Sequence, residues 1–94
     1  MAYECILLKT ALSFIDEQVT PDERKQILEI LEGISNDPQV DGKTKFYFLV
    51  PPAVFTICRS GDWWIIYYRP KPSVIHIINL GRVSELPNIR RSSY

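Results

Sequence analysis

The amino-acid sequence predicts an α+β protein with a short N-terminal strand, a two-helix hairpin and then an antiparallel sheet. Two observations support this fold class. Apolar residues recur at helical spacing between positions 11 and 34, and four strand-like runs follow position 42. A chain of 94 residues has room for one hydrophobic core. We therefore expect a single domain over residues 1–94, with residues 90–94 as a polar tail.

The first half of the chain predicts a strand followed by two adjacent helices. Residues 3–9 are short and rich in apolar side chains, as expected of a strand, and Thr10 is a candidate N-cap for the first helix. The second helix has a stronger start signal, because Thr20 precedes a proline and Glu23 follows three residues later, which is the capping-box pattern. Pro38 ends this helix. Since almost no loop separates the two helices, they should form a hairpin.

The second half of the chain predicts four strands, over residues 43–50, 54–59, 63–69 and 74–80. Turn-forming proline, glycine and serine residues separate these strands, and short connections favour antiparallel pairing. The last of the four is almost entirely apolar, so it should be central or covered on both faces.

Alternation along residues 63–68 divides six large side chains between the two faces of the sheet. Trp63, Ile65 and Tyr67 point to one face, and Trp64, Ile66 and Tyr68 point to the other. One set must belong to the core. The other set is then available for stacking on a base or for contact with a partner protein, although aromatic residues in strands are also ordinary packing residues.

The formal net charge of zero conceals an acidic half and a basic half. Residues 1–42 contain three basic and nine acidic side chains, a net charge of −6, whereas residues 43–94 contain eight and two, a net charge of +6. A basic face suits a polyanion or an acidic partner. Arginine binds phosphate bidentately, and five residues are candidates for such a surface: Lys43, Lys45, Arg59, Arg69 and Arg82. The alternative is that these residues are solvated charges at strand ends.

The sequence also argues against several classes of protein. No apolar run approaches the roughly 18 residues that span a membrane, and the N-terminus lacks the features of a signal peptide, so we expect a cytoplasmic protein. Cys5 and Cys58 are far apart, and His76 has no thiol or carboxylate at ligand spacing. No metal or cofactor is therefore predicted. The two cysteines are expected to be small buried side chains, with a disulfide or a reactive thiol as the alternative.

Several short strings resemble the RelE/ParE superfamily of bacterial type II toxin–antitoxin systems, which includes plasmid-stabilisation proteins. These strings are LEGISNDP at 31–38, GK at 42–43, RSGDW at 59–63, IIY at 65–67 and LGRVSE at 80–85. They occur in the family's order and on the expected elements. The resemblance implies a toxin that an antitoxin neutralises, and that acts either on translation, by cleaving mRNA at the ribosome, or on DNA gyrase.

The resemblance also suggests roles for individual residues. Arg59 and Arg82 fall on basic positions of the family and are the candidate catalytic residues, while Lys43, Lys45 and Arg69 are candidates for binding nucleic acid or phosphate. Candidate partner-binding residues are the aromatic residues of the fourth strand: Trp63, Trp64, Tyr67 and Tyr68.

Two positions depart from the pattern of the ribonuclease branch. Trp64 stands where the family has a further arginine, and Leu86 and Pro87 stand where it has a terminal tyrosine. We therefore expect weak or absent RNA cleavage unless His76 or Tyr94 replaces the lost proton donor. The alternative is a catalytically degenerate protein of the same fold that acts as a partner-binding module.

Overall fold

The computed structural model describes residues 3–50 and 52–85 of the chain. Its elements, in chain order, are β1 (Glu4–Leu7), α1 (Lys9–Glu17), α2 (Pro21–Asn36), β2 (Lys45–Val50), β3 (Ala53–Ser60), β4 (Trp63–Lys71), β5 (Val74–Arg82) and a final 3₁₀ turn (Val83–Glu85). This order confirms the predicted α+β class. The predicted tail at residues 90–94 lies outside the described residues.

The five strands form one mixed sheet in the order β1-β5-β4-β3-β2. Strands β2 to β5 pair antiparallel, as predicted. The N-terminal strand β1, for which no pairing was predicted, runs parallel to β5, with Glu4 opposite Val74. The helical hairpin follows β1 directly and covers one face of the sheet. The first strand therefore joins the edge beside the last strand, a pairing that no local sequence signal indicates.

The two helices start in different ways. At the start of α2, the Glu23 N–H donates to the Thr20 hydroxyl at 3.2 Å and the Thr20 N–H donates to the Glu23 carboxylate at 2.9 Å, which confirms the predicted capping box. By contrast, α1 has Leu8 as its N-cap residue and no side-chain cap, so the predicted cap at Thr10 is wrong. The Leu8 N–H donates to the Ile77 carbonyl at 3.0 Å, and the helix begins straight after this contact with β5.

The hydrophobic core lies between the helical hairpin and one face of the sheet. Its buried residues are Ala11, Ile15, Ile27, Leu31 and Ile34 from the helices and Cys58, Trp63, Ile65, Tyr67, Ile75, Ile77 and Leu80 from the strands. The alternation predicted for β4 is confirmed, with the set that includes Trp63 and Tyr67 in the core. Each fully buried large apolar side chain contributes about 1.5–3 kcal/mol through removal from water.

The opposite face of the sheet carries no helix in the part of the chain that is described. By strand register, Arg59 lies beside Trp64 and Ile57 beside Ile66. Further along β4, Tyr68 pairs with His76 of β5. We refer to these six residues as the outer face: Ile57, Arg59, Trp64, Ile66, Tyr68 and His76. All except the exposed Arg59 are half-buried. Strand β5 lies between β1 and β4, which confirms the prediction that it is central or covered on both faces in the first of its two forms.

The two cysteines are free thiols. Cys58 belongs to the core and Cys5 packs against it, as expected for small buried side chains. Burial raises the pKa of both thiols, and for Cys58 the nearby ammonium of Lys45 only partly opposes this. Both groups are therefore protonated at neutral pH.

Candidate functional site

Arg82 connects the end of the sheet to the corner between the two helices. Its Nη2 donates to the Glu23 carboxylate at 2.8 Å and to the Gln18 carbonyl at 2.9 Å. Its guanidinium lies over the rings of Phe14 and Trp63, 5.7 Å and 5.3 Å from their centroids. These contacts fix β5 to the start of α2 and give Arg82 a structural role.

Arg59 lies on the other side of the sheet. It pairs with Trp64, whereas Arg82 pairs with Trp63, and successive residues of β4 point to opposite faces. The two candidate catalytic arginines therefore lie on opposite faces of the sheet, and the structure does not bring them together. Arg59 is exposed, and the described residues offer it no carboxylate partner.

The remaining cations predicted to bind phosphate are also dispersed. Lys45 pairs with Cys58 and so lies on the helix side of the sheet, 3.9 Å from a carboxylate oxygen of Asp41. The N–H groups of Lys43 and its two successors donate to the same Asp41 carboxylate, which holds the pKa of Asp41 well below its usual range. Arg69 lies at the far end of β4, over the Tyr3 ring and bonded to the Pro72 carbonyl at 2.8 Å. The structure thus does not assemble the predicted phosphate-binding surface.

Two of the four aromatic residues predicted to bind a partner are core residues. The Trp63 indole donates to Gln26 Oε1 at 3.0 Å, and the Tyr67 hydroxyl donates to the Pro38 carbonyl at 2.8 Å. Both side chains are buried under the helices, with 4% and 0% of their surface exposed. The structure therefore places Trp63 and Tyr67 in the core, and it places the other two candidates, Trp64 and Tyr68, on the outer face.

Tyr68 and His76 form the one pair of acid–base groups on the outer face. The Tyr68 hydroxyl lies 3.2 Å from His76 Nδ1, and the two rings meet edge to face. Phe55 packs edge-on against Tyr68 from the other side. Along β4, four residue steps separate Tyr68 from Trp64, the neighbour of Arg59, which corresponds to about 13 Å between their backbone positions. The acid–base pair and the arginine therefore lie towards different ends of the outer face.

The Trp64 indole lies flat against the backbone of Gly81. A Cβ atom at Gly81 would be 2.8 Å from Trp64 Cζ2, so only glycine allows this arrangement. The indole Nε1 is buried and has no acceptor among the described residues. An unsatisfied buried donor costs about 1–3 kcal/mol, which makes this position unusual for a residue that serves packing alone.

A groove of about 530 Å³ lies on the helix side of the sheet, between α2 and the β2–β3 hairpin. Ile34, Cys58 and Trp63 contribute apolar lining, and Gly33 and Lys45 lie on its two walls. The Cys58 thiol in the groove is protonated, and the residues that line the groove include no histidine. Gln26, Glu29 and Asp62 also line the groove, so its lining is partly apolar and partly polar or charged.

Two further absences apply to residues 3–50 and 52–85. No cluster of three or more histidine, cysteine or acidic side chains there has the arrangement of a metal site. None of the helices in these segments has the length and apolar character needed to span a bilayer. Leu86, Pro87 and Tyr94, which figured in the predicted proton-donor site, lie outside the described residues.

The arrangement of helices and strands defines a class of protein, an α+β fold with two helices on one face of a mixed five-stranded sheet. No protein-family model matches the sequence, and no curated protein sequence matches it. Solved structures do match. A chain of the RelBE2 toxin–antitoxin complex from Mycobacterium tuberculosis has a TM-score of 0.72 and 15% identity, covering 87% of this chain and 92% of that chain.

Two more solved structures give the same result. A chain of the archaeal RelE–RelB complex from Pyrococcus horikoshii has a TM-score of 0.69 and 18% identity, with 90% and 99% of the two chains covered. A variant of the Escherichia coli toxin RelE with two arginine-to-alanine substitutions has a TM-score of 0.60 and 14% identity, with 97% and 93% covered. This chain therefore has the same fold as these RelE structures, which is the fold that the sequence strings predicted.

Sequence reasoning missed the close packing of Trp64 on Gly81. Gly81 belongs to a string that resembles the family and Trp64 stands at a position that departs from it, and neither observation indicates that the two residues would be in contact. The signal that could have found it is the β4–β5 turn, which sets the register that places Gly81 directly opposite Trp64.

Proposed function

We propose that this protein is the toxin component of a type II toxin–antitoxin pair, acting in the cytoplasm and neutralised by an antitoxin. We further propose that it binds a protein target, DNA gyrase being the one that the family resemblance implies, and does not cleave RNA. The observation that carries this proposal is the outer face of the RelE-type sheet, where Arg59 supplies the one guanidinium and the other five residues are half-buried aliphatic, aromatic and imidazole side chains.

RNA cleavage on this fold would need a base or acid within hydrogen-bond reach of the 2′-OH and cations beside the phosphate. The outer face provides Arg59 beside Trp64 at one end and the Tyr68–His76 pair at the other, with about 13 Å between the backbone positions of Trp64 and Tyr68. Arg82 is on the opposite face and is already bonded to Glu23. Removing one catalytic acid, base or cation lowers the rate of a reaction by about 10²–10⁴-fold. A site in which these groups are dispersed should therefore retain little RNA-cleaving activity.

The test is induction of the protein in bacteria, with growth, ribosome-dependent mRNA cleavage and gyrase supercoiling measured in parallel. We expect growth arrest, inhibition of supercoiling and intact mRNA, with growth restored by co-expression of the antitoxin candidate from the neighbouring reading frame. Strong mRNA cleavage that is lost in Arg59→Ala and kept in Lys71→Ala, a cation outside the outer face, would overturn the proposal.

A second candidate function is a partner-binding module without toxicity. The half-buried Trp64, Ile66 and Tyr68 side chains on a sheet face without a described helix favour it, because large apolar side chains in such a position suit a protein contact. Normal growth after induction, together with a stable complex with the product of the neighbouring frame, would select this function over the first.

A further inference from the structure

Strand β2 is an edge strand of the sheet, and it lacks the features that normally prevent such strands from associating. Natural proteins protect their edge strands by shortness, by charged or proline residues, or by bulges. The opposite edge strand, β1, has only four residues and includes Glu4. Strand β2 has six residues, its positions 46–50 include no charge and no proline, and its pairing with β3 is regular throughout. One edge of the sheet is therefore protected, and the other is open.

The backbone groups available at the open edge belong to Tyr47 and Leu49. The Thr44 carbonyl accepts an N–H of β3 at 2.7 Å, so even-numbered positions of β2 direct their backbone groups towards β3 and odd-numbered positions direct theirs away from it. Lys45 already bonds to the preceding loop, because its N–H donates to the Asp41 carboxylate at 3.0 Å and its carbonyl accepts the Asp41 N–H at 3.2 Å. Two donors and two acceptors, on Tyr47 and Leu49, therefore face no neighbouring strand in the described part of the chain.

The side chains at this edge are apolar and exposed. Tyr47, Leu49 and the Val54 that pairs with Leu49 lie on the helix side of the sheet, with 68%, 67% and 54% of their surface exposed. These are the highest exposures among the large hydrophobic residues that the structure describes. The helices do not reach this part of the sheet, since none of the buried core residues comes from β2. An apolar patch beside an open strand edge is typical of an interaction site.

A second copy of this chain satisfies the open edge completely in one register. Antiparallel pairing about a two-fold axis through the Phe48 backbone places Tyr47 of each copy opposite Leu49 of the other, and all four edge groups of each copy are then bonded. An axis through Tyr47 would instead place Leu49 opposite Lys45, whose backbone groups already have partners. The charges are also compatible, because each Lys45 ammonium keeps its own Asp41 carboxylate at 3.9 Å and no charge lies between positions 46 and 50.

We propose that this protein forms a two-fold dimer through antiparallel pairing of its β2 edges, which joins two five-stranded sheets into one. The axis is perpendicular to the sheet, so the helices of both copies lie on one side and both outer faces lie on the other. The contact is short and falls in the class of weak interfaces that bury less than about 1,200 Å². Dimerisation is therefore expected at about micromolar concentrations and above. This inference does not rest on the proposed function.

Sedimentation velocity of the full chain over a range of concentrations measures the dimer. Leu49→Glu should weaken dimerisation about tenfold or more, because it places a carboxylate opposite an apolar side chain of the other copy, and Tyr47→Lys should do the same. Leu28→Glu, the same change at an exposed leucine of α2, should leave dimerisation unchanged. The double variant Tyr47→Lys/Leu49→Glu should recover it, since each lysine then lies opposite a glutamate of the other copy.

Unaltered circular dichroism would show that the variants remain folded. A monomer at every concentration up to about 1 mM would overturn the proposal, as would a dimer that Leu49→Glu does not weaken or a double variant that stays monomeric. Hydrogen exchange at the Tyr47 and Leu49 amides identifies the alternative occupant. If exchange slows only when the product of the neighbouring reading frame is added, and the chain alone is monomeric, the edge binds a strand of that partner and the proposal is wrong.

Discussion

Substituting alanine for each of the four glycines tests the structure at four positions with the same chemical change. Gly33 lies inside α2, where a Cβ atom would meet nothing within 4 Å. Its backbone does not have a positive φ. Glycine in a helix interior is about 0.5–1 kcal/mol less favourable than alanine, and nothing in the surroundings offsets this. Gly33→Ala should therefore raise the free energy of unfolding by about 0.5–1 kcal/mol, or raise Tm by about 2–8 °C.

The other three glycines should respond in the opposite direction, for two different reasons. Gly42 and Gly61 have φ of 73° and 60°, in the left-handed region, so alanine should lower stability by about 1–2 kcal/mol although the space around both is open. Gly81 has no such backbone constraint, but a Cβ atom would meet the Trp64 ring at 2.8 Å. Gly81→Ala should cost about 1–3 kcal/mol through overpacking, and much less in a Trp64→Ala background.

Urea unfolding at 25 °C, followed by far-UV circular dichroism, gives the four free energies on one scale. We expect the free energy of unfolding of Gly33→Ala to be higher than that of the unsubstituted protein, and those of the other three variants to be lower. A destabilising Gly33→Ala would refute the reasoning, since it would mean that a neighbouring side chain fills the space along α2. A Gly81→Ala effect that is unchanged by Trp64→Ala would refute the assigned contact.

Three further variants test the core and the helix corner. Leu31→Ala should lower the free energy of unfolding by about 2–5 kcal/mol, and a loss below 1 kcal/mol in urea unfolding would show that Leu31 is not a core residue. Tyr67→Phe should cost about 0.5–1.5 kcal/mol by the same measurement, because it leaves the Pro38 carbonyl without its buried donor. The Thr20 N–H, and then the Arg82 guanidinium, hold the pKa of Glu23 below its ordinary value of 4.5. The resulting stability is present above about pH 4.5 and is lost as the pH falls through the lowered pKa. Glu23→Gln should flatten this part of the pH dependence of Tm between pH 5 and 3, and an unchanged slope would contradict the assigned contacts.

What could be predicted from the sequence depended on how far apart the interacting residues are. The capping box at Thr20 and Glu23 spans three positions, and the alternation along β4 needs only neighbouring residues, so both were predicted correctly. The position of Arg82 could not be predicted in this way. The string that contains Arg82 indicated a strand. Arg82 contacts Glu23, however, which lies 59 positions earlier in the chain, and this contact depends on which face of the sheet the helices cover. The dispersal of the predicted cations has the same cause, because a string identifies a position along the chain and not its side of the sheet.

The parallel pairing of β1 with β5 has a consequence for synthesis on the ribosome. Glu4 is synthesised before Val74, its partner in the sheet, which lies seventy positions later in the chain. At about 5–20 residues per second, the first strand and the helical hairpin wait several seconds for the sheet that covers their apolar residues. During this time α1 and α2 have only each other to pack against, and their apolar side chains are exposed to chaperones and to other nascent chains. The last strand to be made also pairs with the first one, so a chain that terminates before β5 loses the strand pairing of β1 and keeps only its contacts with α2, such as the hydrogen bonds between Tyr3 and Ser35.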